Sequence, residues 1–566
     1  MPLDSPRNTN PASHDHPFHL SDAVRTLRAS GLLVEPRAGV DPAPDDALSV
    51  DPVLSGITHD SREVEPGSLF VAIRGGQADG HRFLAQAEEQ GAAALVVDTD
   101  YAAAEGRVDT NDDAPGVSAS APEEGPAAAS GGRGGPRQAA RVTVRDTRAA
   151  LADVAAAFYR APSHDLALVG VTGTNGKTTV TSLVHAALAQ MGEPAGLIGT
   201  VEVRIGDEKV DATHTTPDPV SLSRLLRRMA DAGCTACAME VSSHALVQDR
   251  VRAQRFAAAA FTNLTHDHLD YHETFEAYLA AKKLLFDGLP AGAVTVVNRD
   301  DAAWEQMVAD TAARVVTYGK GDAADIPFEI LDNAPTGLHL RLDGDARRYR
   351  LAGPFNAYNL AAAYGLLRAM GKGKEQSLAA LAGAPPPPGR FESVEAADGR
   401  LALVDYAHTP DALQNVLQAA RPLVEEGKRL HVLFGCGGDR DRAKRPEMAA
   451  VAEEYADRLW ITSDNPRSED PAAIIHEITQ GLTAEADVEA VYDRQTAIEA
   501  ACADLRPGDV LVVAGKGHET YQEIQGHRRP FDDRQHVRRA FERSAPKAGP
   551  RDSSPDSATD APAPRL

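Results

Sequence analysis

Residues 168–179 have the sequence LVGVTGTNGKTT, in which an apolar run breaks into a glycine-rich loop that ends in Lys and two Thr. The segment TVTSLVHAALAQMG that follows has helical spacing, so the loop would join a strand to a helix. Backbone N–H groups around Gly173 and Gly176 can form an anion nest, and Lys177 adds a positive charge. The Thr178 hydroxyl can bind magnesium, and the helix N-terminus would point at the phosphates. The stretch therefore predicts a phosphate-binding loop in an α/β domain.

The glycines of this loop depart from the strict nucleotide-loop pattern. That pattern requires Gly six positions before the Lys, where this chain has Val171; its glycines are Gly170, Gly173 and Gly176. For the GK[ST] signal alone, a Gly/Thr-rich turn that only caps a helix is the alternative. The longer string TGTNGKTT favours nucleotide binding.

Length and composition limit the class of protein. The 566 residues are too many for one core, and about 150 residues per domain suggests three or four domains. A net charge of -24 argues against a nucleic-acid-binding surface, which needs clustered Lys and Arg. The four cysteines include one CxxC, Cys234 and Cys237, in an apolar run, which favours buried strand residues over zinc ligands or a redox pair. No secretory signal or membrane span is evident, so we expect a cytoplasmic monomer that binds neither nucleic acid nor membrane.

Composition also divides the chain into segments. Residues 1–20 and 546–566 are rich in Pro, Ser, Asp and Ala, which predicts disordered tails. The Ala/Gly/Ser/Pro/Asp-rich residues 101–138 predict a flexible insertion in a first block whose LFVAI, HRFLAQAEEQGA and AALVV segments indicate a βαβ unit. The segment APPPPG, residues 384–389, is a stiff spacer and the clearest boundary. The predicted domains are residues 21–164, 165–384 and 385–545.

Four apolar segments after the spacer each run into a polar turn: LALVDYAHT, RLHVLFGCGG, RLWITSDNP and DVLVVAGKG. Helical segments separate them, so they predict a parallel sheet. Ligands bind at the carboxyl ends of such strands, so the polar turns are candidate binding segments. By themselves, GDRDRAKRP could be a solvated charged loop and AGKGHE a second phosphate nest.

Two segments of the central block carry candidate metal ligands. TACAMEVSSH predicts a short strand that ends in Glu240, whose carboxylate could hold magnesium opposite Thr178; a surface Glu at a strand end is the alternative. FTNLTHDHLDYH nearly matches the HxHxDH set of dinuclear zinc hydrolases, but Tyr271 occupies the place of the last His, and no nucleotide loop belongs with that signature. Plain structural residues in a turn are the other alternative for His266, Asp267, His268, Asp270 and His272.

These motifs occur in the order of a known family. TGTNGKTT, MEVSSHAL, TNLTHDHLDYH, LAAKKLLF, GPFNAYN, PGRFE, DYAHTPDAL, FGCGGDRDRAKRP, SDNPR and AGKGHE span most of residues 55–540. In them the sequence resembles the Mur ligases, the ATP-dependent amino-acid-adding enzymes of peptidoglycan synthesis. The resemblance implies an α/β fold of three domains: a small N-terminal UDP-binding domain, a central phosphate-loop ATPase with a parallel or mixed sheet, and a Rossmann-like C-terminal domain for the amino acid.

The resemblance assigns ATP, as co-substrate, and magnesium, as cofactor, to the central domain. Lys282 in LAAKKLLF falls where the family carries a lysine carbamylated by carbon dioxide, and the adjacent Lys283 is the alternative. A carbamate could help to hold magnesium, whereas an ammonium would repel it. The expected catalytic residues are Lys177, Glu240, His268 and Lys282, and the expected metal ligands are Thr178, Glu240, His268 and carbamylated Lys282. The expected ATP site comprises Gly173, Thr174, Asn175, Gly176, Lys177, Thr178, Thr179, Asn298, Asn356 and Asn359.

The resemblance also places the nucleotide-linked peptide. DSR, PGSLFVA and DGH look like the UDP-binding domain of the third ligase of the family, which makes the tripeptide. Arg250 suits an anionic substrate because it can form bidentate bonds. The expected contacts with the UDP-muropeptide are Ser61, Gly76, Gln77, Ala78, Thr215, Thr216, Ser242, Gln248 and Arg250.

The motif SDNPR indicates which amino acid is added. Where the family adds meso-diaminopimelate, a DNPR motif offers an arginine to the distal carboxylate, which lysine lacks. Arg467 would discriminate between the two, since an unpaired buried guanidinium penalises lysine binding. Glu519 is the expected acceptor for the substrate ammonium. The expected diaminopimelate site comprises Arg440, Asp464, Asn465, Pro466, Arg467, Gly515 and Glu519.

The resemblance therefore implies a two-step ligation. ATP would phosphorylate the free side-chain carboxylate of the D-glutamyl residue in a UDP-N-acetylmuramoyl dipeptide, and the amine of meso-diaminopimelate would attack the acyl phosphate. A lysine-adding tripeptide ligase is the alternative within the family. A folylpolyglutamate synthetase is a further alternative, because it shares the nucleotide loop. The N-terminal domain with its DSR and PGSLFVA motifs argues against this alternative, as does the DNPR motif. A binding protein or scaffold without catalysis would not need the four expected catalytic residues.

Overall fold

The computed structural model describes residues 17–35, 51–75, 78–105, 139–210, 214–265 and 267–544. The predicted tails lie outside the described residues except for 17–20, where His19 pairs with Val53 and Leu20 is buried. The predicted insertion begins inside a helix that ends at Glu105, and its residues 106–138 lie outside the described part of the chain. The chain divides into two compact units. The first is Met1–Asp332 with Leu338–Arg350 and Asn356–Pro387, and the second is Asn333–Gly337 with Leu351–Phe355 and Pro388–Leu566.

The first unit contains a four-stranded sheet whose neighbouring strands are all parallel. Side chains alternate between its two faces: Leu69 and Val71 join one buried cluster, and Phe70 and Ala72 join another. Helices contribute to both clusters, which explains why β2 and β3 are mostly apolar on both faces. The strands are β1 (Gly56–Thr58), β2 (Ser68–Val71), β3 (Ala94–Asp98) and β4 (Ala140–Val144). The helices are α1 (Leu20–Ala29), α2 (Leu84–Glu89), α3 (Thr99–Glu105) and α4 (Thr147–Phe158), and β2, α2 and β3 confirm the predicted βαβ unit.

A second sheet has eleven strands and lies largely in the first unit. Its strands are β5 (Ala167–Thr172), β6 (Ala195–Ile198), β7 (Val203–Ile205), β8 (Glu208–Val210), β9 (Ala236–Glu240), β10 (Ala258–Phe261), β11 (Val294–Asn298), β12 (Arg314–Lys320), β13 (Ile326–Ala334), β14 (Gly337–Leu342) and β15 (Asp345–Tyr349). Their order is β15-β14-β13-β12-β11-β10-β5-β9-β6-β7-β8. The helices are α5 (Lys177–Gln190), α6 (Pro219–Asp231), α7 (Ser243–Val247), α8 (Leu269–His272), α9 (Phe275–Asp287), α10 (Trp304–Val308), α11 (Phe355–Ala369) and α12 (Lys374–Gly383).

The strand register of this sheet brings the predicted central motifs together. Strand β5 lies between β9 and β10 and is parallel to both. Val171 pairs with Glu240 on one side, and Thr172 pairs with Phe261 on the other. The three strands therefore end at the same edge, so the glycine loop after β5 lies beside Glu240 and the residues that follow Phe261. The predicted strand before the loop and the predicted helix after it are confirmed as β5 and α5.

The second unit contains a six-stranded sheet. Alternate residues of each central strand face opposite layers: Val432 and Phe434 join one buried cluster, and Leu433 joins the other. Its strands are β16 (Glu392–Glu395), β17 (Leu401–Asp405), β18 (Leu430–Phe434), β19 (Arg458–Ile461), β20 (Val488–Ala490) and β21 (Val510–Ala514), in the order β16-β17-β21-β18-β19-β20, and β22 (Tyr521–Ile524) and β23 (His527–Pro530) form a hairpin. The helices are α13 (Pro410–Ala420), α14 (Lys444–Tyr455), α15 (Pro471–Thr479), α16 (Arg494–Asp504) and α17 (Asp533–Ser544).

The four strands predicted after the proline spacer are confirmed as β17, β18, β19 and β21. They are mutually parallel, and β16 is the antiparallel neighbour of β17. The polar turns that follow them therefore share the carboxyl edge of this sheet. None of the helices in the described ranges is both long enough and apolar enough to cross a bilayer.

Candidate active site

The loop after β5 has a shape that only glycine permits at two positions. Gly173 has a φ of 149°, and a Cβ there would lie 1.9 Å from the Thr262 hydroxyl oxygen. Gly176 has a φ of 88°, and a Cβ there would lie 2.4 Å from Asn359 Oδ1. Gly176 is the residue before α5 and has no side chain to cap that helix. No side chain of Gly176 therefore competes with an anion for the first backbone N–H groups of α5, where the sequence predicts the phosphates.

Asn263, which follows β10, holds the loop in place. Its carbonyl accepts from the Thr174 N–H at 2.8 Å, and its Oδ1 accepts from the Asn175 N–H at 2.9 Å. The Thr262 hydroxyl donates to the Asn175 carbonyl at 2.6 Å. The Thr174 hydroxyl lies 3.2 Å from the Tyr278 hydroxyl. The loop is therefore shaped before any phosphate binds, which limits the conformational entropy lost on binding.

Two lysines converge on the Gly173 carbonyl. Lys177 Nζ donates to this oxygen and to the Thr174 carbonyl at 2.8 Å each, and Lys282 Nζ donates to the Gly173 oxygen at 3.0 Å. Lys282 is 1% exposed and lies over the Tyr278 ring, 4.3 Å from its centroid. Burial, together with the nearby charge of Lys177, holds the pKa of Lys282 well below its usual value. The amine of Lys282 is therefore buried next to the loop, with a lowered affinity for a proton.

Lys283 has a different environment. Its Nζ lies 2.6 Å from carboxylate oxygens of both Asp287 and Asp310, near the surface. Salt bridges to these carboxylates raise the pKa of Lys283 against the effect of partial burial. Among the described residues, Lys282 by contrast has no carboxylate within ion-pair distance. The tertiary structure thus separates the two lysines that the sequence left ambiguous.

Glu240 lies at the end of β9 and is 1% exposed. Its Oε1 accepts from the Thr200 N–H at 2.8 Å, and its Oε2 accepts from the Thr200 hydroxyl at 3.2 Å. Gly199 provides the space, because a Cβ there would lie 2.5 Å from Glu240 Oε1. The carboxylate is therefore fixed by a residue that the sequence analysis did not select. Thr200 carries no motif signal of its own.

The predicted muropeptide residues of the central block form one hydrogen-bonded chain beside Glu240. The Thr216 hydroxyl donates to the Glu240 carbonyl at 2.9 Å, and Thr200 and Thr215 hydroxyls lie 3.0 Å apart. Ser242 N–H donates to the Thr216 hydroxyl at 3.1 Å. Arg250 donates to the Thr216 carbonyl at 2.8 Å and to Gln248 Oε1 at 2.8 and 3.1 Å. Thr215, Thr216, Ser242, Gln248 and Arg250 are thus brought together as expected.

His268 lies at the start of α8 with a φ of 54°. Its ring is 4.9 Å from the His244 ring and 6.2 Å from the Tyr278 ring, measured between centroids, and its Nε2 lies 3.5 Å from Asp267 Oδ2. Because Tyr278 also contacts Lys282, His268 and Lys282 flank the same aromatic ring. His266 lies outside the described residues.

The three asparagines expected at the nucleotide lie around the loop. Asn298 Nδ2 donates to the Thr262 carbonyl at 2.8 Å, and Asn359 Nδ2 donates to Asn356 Oδ1 at 2.9 Å. Asn359 also lies against Gly176, as the close approach of its Oδ1 shows. Thr178 and Thr179 are buried in the first turn of α5.

The residues expected at the UDP end lie beside the four-stranded sheet. Ser61 is buried in a short 3-10 helix, Ser61–Glu63, that follows β1. The Ala78 carbonyl accepts from the Gly75 N–H at 2.9 Å. The predicted Gly76 and Gln77 lie outside the described residues.

The second unit brings the expected amino-acid residues together at its carboxyl edge. Asn465 Nδ2 donates to Glu519 Oε2 at 2.8 Å, and Lys516 Nζ donates to Asn465 Oδ1 at 3.0 Å and to Glu519 Oε2 at 2.8 Å. Lys516 is 0% exposed, and the sequence analysis did not select it. Gly515 has a φ of 112°, and a Cβ there would lie 2.6 Å from Asp464 Oδ2. Asp464 and Glu519 thus face the same small space.

Arg467 and Arg440 both lie beside Gly437. A Cβ at Gly437 would lie 2.9 Å from Arg467 Nη1 and 3.9 Å from Arg440 Cγ. Arg467 has a φ of 49°, and its Nη1 donates to the Gly438 carbonyl at 2.7 Å. Pro466 is buried next to it, and Arg440 is exposed. The guanidinium of Arg467 and the side-chain stem of Arg440 therefore lie near one point of the edge, and the guanidinium suits a carboxylate ligand.

Comparison with known proteins identifies the family. Residues 171–367 match the Mur ligase middle domain, residues 389–517 match the Mur ligase glutamate ligase domain, and residues 53–159 match a domain described as Mur ligase family, catalytic domain. A UDP-N-acetylmuramoyl-L-alanyl-D-glutamate--2,6-diaminopimelate ligase from Cytophaga hutchinsonii is 44% identical over 483 residues, which are 85% of this chain and 93% of that protein. The chain belongs to the Mur ligase family.

Further relatives of this Mur ligase carry the same name. The protein from Chlorobaculum tepidum is 43% identical over 535 residues, 92% of this chain and 97% of its own length. A solved structure titled with that ligase name is 32% identical, with a TM-score of 0.59, and the match covers 87% of this chain and 95% of that chain. The three-domain α/β expectation is thereby confirmed as the Mur ligase fold.

The donor set of this Mur ligase fits magnesium that is bound together with phosphate. Among the described residues, no group of three His, Cys, Asp or Glu side chains could hold a metal ion. Magnesium commonly uses one or two carboxylates and completes its shell with water and substrate phosphates. Glu240 supplies one fixed carboxylate, and Thr178 supplies a hydroxyl at the start of α5. These two groups fit a magnesium ion that takes its remaining ligands from water and nucleotide phosphates.

Proposed function

We propose that this Mur ligase joins meso-diaminopimelate to UDP-N-acetylmuramoyl-L-alanyl-D-glutamate and converts ATP to ADP and phosphate. The observation that carries the proposal is the name shared by relatives that are 43–44% identical over most of both chains. The position of Arg467 and Arg440 beside one glycine agrees with it, because the second carboxylate of diaminopimelate needs a cationic partner.

The first step is phosphorylation of the side-chain carboxylate of the D-glutamyl residue. An oxygen of that carboxylate attacks the γ-phosphorus of ATP, and the bond to the β-phosphate oxygen breaks to release ADP. The glycine loop and the N-terminus of α5 would bind the phosphates, and Lys177 would supply positive charge. Magnesium, held by Thr178, Glu240, His268 and carbamylated Lys282, would neutralise charge on the transferred phosphoryl group. Asn298, Asn356 and Asn359 would hold the adenosine part.

The environment of Lys282 suits carbamylation. Its amine is buried and burial lowers its pKa, which favours the neutral amine, the form that attacks carbon dioxide. The reaction forms an N–C bond and releases one proton, so a neutral group becomes an anion. Lys177, which shares the Gly173 carbonyl with Lys282, would then face an opposite charge instead of another amine. This change favours Lys282 over Lys283 as the modified lysine.

The second step is attack on the acyl phosphate by the amine of diaminopimelate. Its nitrogen bonds to the carbonyl carbon, phosphate leaves from the tetrahedral intermediate, and the nitrogen loses a proton. Asp464 and Glu519 would bind ammonium groups of the substrate, and Arg467 would bind its distal carboxylate. Lysine lacks that carboxylate and would leave the guanidinium unpaired.

The remaining assignments follow from these roles. We assign residues 21–164 to the UDP end of the substrate, 165–384 to ATP and 385–545 to the amino acid, with Ser61, Gly76, Gln77 and Ala78 at the UDP end. One chain supplies all the expected contacts, so a cytoplasmic monomer suffices. Equilibrium sedimentation with and without substrates tests the monomer.

The test of the function is phosphate release in the presence of ATP, magnesium and UDP-N-acetylmuramoyl-L-alanyl-D-glutamate. Release should depend on meso-diaminopimelate, and L-lysine should give little. Turnover with lysine but not diaminopimelate would replace the proposal by the lysine-adding ligase. An absence of substrate-dependent ATP hydrolysis would indicate a protein that keeps the fold without catalysis.

A further inference from the structure

Arg494 and Asp533 form an ion pair that lies entirely inside the second unit. Both side chains are 0% exposed. Arg494 begins α16 and Asp533 begins α17, and Arg494 donates to the two carboxylate oxygens at 2.8 and 2.7 Å. Removing two charges from water is costly, so a buried pair of this kind is weak evidence for a purely stabilising role. The other contacts of the arginine are therefore informative.

The guanidinium also binds two backbone carbonyls. Its Nη2 donates to Ala514 O at 2.9 Å, and its Nη1 donates to Ser463 O at 3.4 Å. Ala514 ends β21 and Ser463 follows β19, and these two strands are separated in the sheet by β18. Arg494 thus connects the ends of two strands that do not hydrogen bond to each other.

The next residue after each of these carbonyls belongs to the amino-acid site. Asp464 follows Ser463, and Gly515 follows Ala514. The two residues are in close contact, since a Cβ at Gly515 would lie 2.6 Å from Asp464 Oδ2. The two loops meet again where Asn465 donates to Glu519 at 2.8 Å. These contacts require a fixed distance between the loops. Burial lowers the pKa of Arg494, but the negative charges of Asp533, Asp464 and Glu519 raise it. The positive charge of Arg494 therefore interacts with two carboxylates of the amino-acid site, Asp464 and Glu519.

We propose that Arg494, held by Asp533, is a positioning residue for the amino-acid substrate because it fixes the distance between the loops that begin at Asp464 and Gly515. The inference rests on the proposed function of these loops. Arg494 acts through backbone carbonyls and leaves the substrate to other side chains. Loss of the pair should therefore weaken amino-acid binding and spare ATP binding.

The experiment uses the full chain with Arg494→Gln and Asp533→Asn; each removes one charge, and Asp533→Asn does so without a change of side-chain shape. Arg400→Gln is the matched control: Arg400 is almost buried, pairs with Asp398 at 2.9 Å and donates to the Cys502 carbonyl, but it precedes β17 at the amino edge of the same sheet. The KM values for meso-diaminopimelate and for ATP are measured by phosphate release, with circular dichroism as a check of folding.

Both test variants should raise the KM for diaminopimelate at least about tenfold, which corresponds to about 1.4 kcal/mol, and leave the KM for ATP within about twofold. The control should change neither constant. A diaminopimelate KM within about twofold of wild type in a folded variant would overturn the proposal. An equal rise in both constants would also overturn it, because it would indicate a general structural role. If Arg494→Gln does not fold, Arg494→Lys keeps the charge but cannot reach both carbonyls and Asp533, and the same outcomes apply.

Hydrogen exchange separates this inference from the proposed function. If the wild-type enzyme turns over neither amino acid, the function is wrong, yet the loops can still be examined. Amide exchange in residues 463–467 and 514–519 should be faster in Asp533→Asn than in wild type, without any substrate. Unchanged exchange in these segments would overturn the positioning role whatever the substrate is.

Discussion

Replacement of Arg467 by Met should remove the preference for meso-diaminopimelate over lysine. Among the described residues, the guanidinium is hydrogen bonded through Nη1, to the Gly438 carbonyl, so Nη2 and Nε remain for a substrate carboxylate. Methionine has a similar length, an unbranched chain and no charge. It therefore removes the carboxylate partner and leaves the packing of the loop largely as it is.

The magnitude follows from the number of bonds lost. A hydrogen bond to a charged group contributes about 1.5–3 kcal/mol. Loss of both bonds between the forked guanidinium and the carboxylate should cost about 3 kcal/mol in total, because the two contributions are not additive. At 25 °C this corresponds to a fall in kcat/KM for diaminopimelate of about 150-fold. Lysine offers no carboxylate, so its kcat/KM should change by less than about threefold. Arg467→Lys keeps the charge without the fork and should fall between these values.

The assay is phosphate release with each amino acid varied at saturating ATP and UDP-muropeptide. Arg421→Gln is the control, because Arg421 belongs to the same unit and pairs with Asp457 at the surface. The reasoning is refuted if Arg467→Met retains a diaminopimelate kcat/KM within about threefold of wild type, or if both amino acids lose activity equally. Equal losses would mean that Arg467 supports the loop and does not read the substrate.

Three further changes test other parts of the site. Lys282→Met should lower kcat by about 100-fold or more, because a carbamate at Lys282 would be lost, whereas Lys283→Met should stay near wild type. Carbon-13 NMR of the folded enzyme in labelled bicarbonate should show a carbamate signal that Lys282→Met lacks, and equal activity of the two variants would contradict the assignment. Gly173→Ala places a methyl group 1.9 Å from the Thr262 hydroxyl and should raise the KM for ATP by about tenfold or more. Gly292→Ala is the control, because Gly292 has open space around it, and should leave this KM unchanged. Equal KM values for ATP in the two variants would contradict the assignment of the loop to ATP. Hydrogen bonds from Arg445 and the Asp439 N–H lower the pKa of Glu469 to about 2, so its stabilising contribution is complete above its unfolded pKa of about 4.5 and is lost as the pH falls toward 2. Glu469→Gln should therefore lower the melting temperature most near neutral pH, and a difference that stays constant from about pH 7 to about pH 3 would disprove this.

The fold could be predicted largely from local patterns. The apolar segments after the proline spacer become β17, β18, β19 and β21 because fully buried parallel strands need continuous apolar runs. The segment around Gly173 and Gly176 indicated a strand, a loop and a helix. Its glycines are an informative signal because the backbone geometry of the loop excludes other residues at these two positions. Such signals lie within a dozen residues of each other, so the sequence displays them directly.

Other parts of the site had no local signal. Thr200 fixes Glu240 from a position 40 residues away, and Asn263 shapes the loop from 88 residues away. Tyr278 and Lys516 are also buried contacts, and nothing in the sequence near either residue indicates that it is buried. The roles of Thr200 and Asn263 come from strand order, which places β5, β9 and β10 side by side although other elements separate them in the chain.

The sequence by itself indicated a phosphate-binding loop and a carboxylate at the end of β9, and the order of its motifs indicated the family and therefore the class of chemistry, because motifs are chemical types in a fixed order along the chain. Only the tertiary structure shows how the environments of the neighbours Lys282 and Lys283 differ. Helical spacing turns adjacent residues about 100° apart, so one side chain is buried against Gly173 while the other reaches surface carboxylates. The structure likewise decided that Arg494 holds two loops, because a hydrogen bond to a backbone carbonyl depends on where strands end and leaves no mark on residue type.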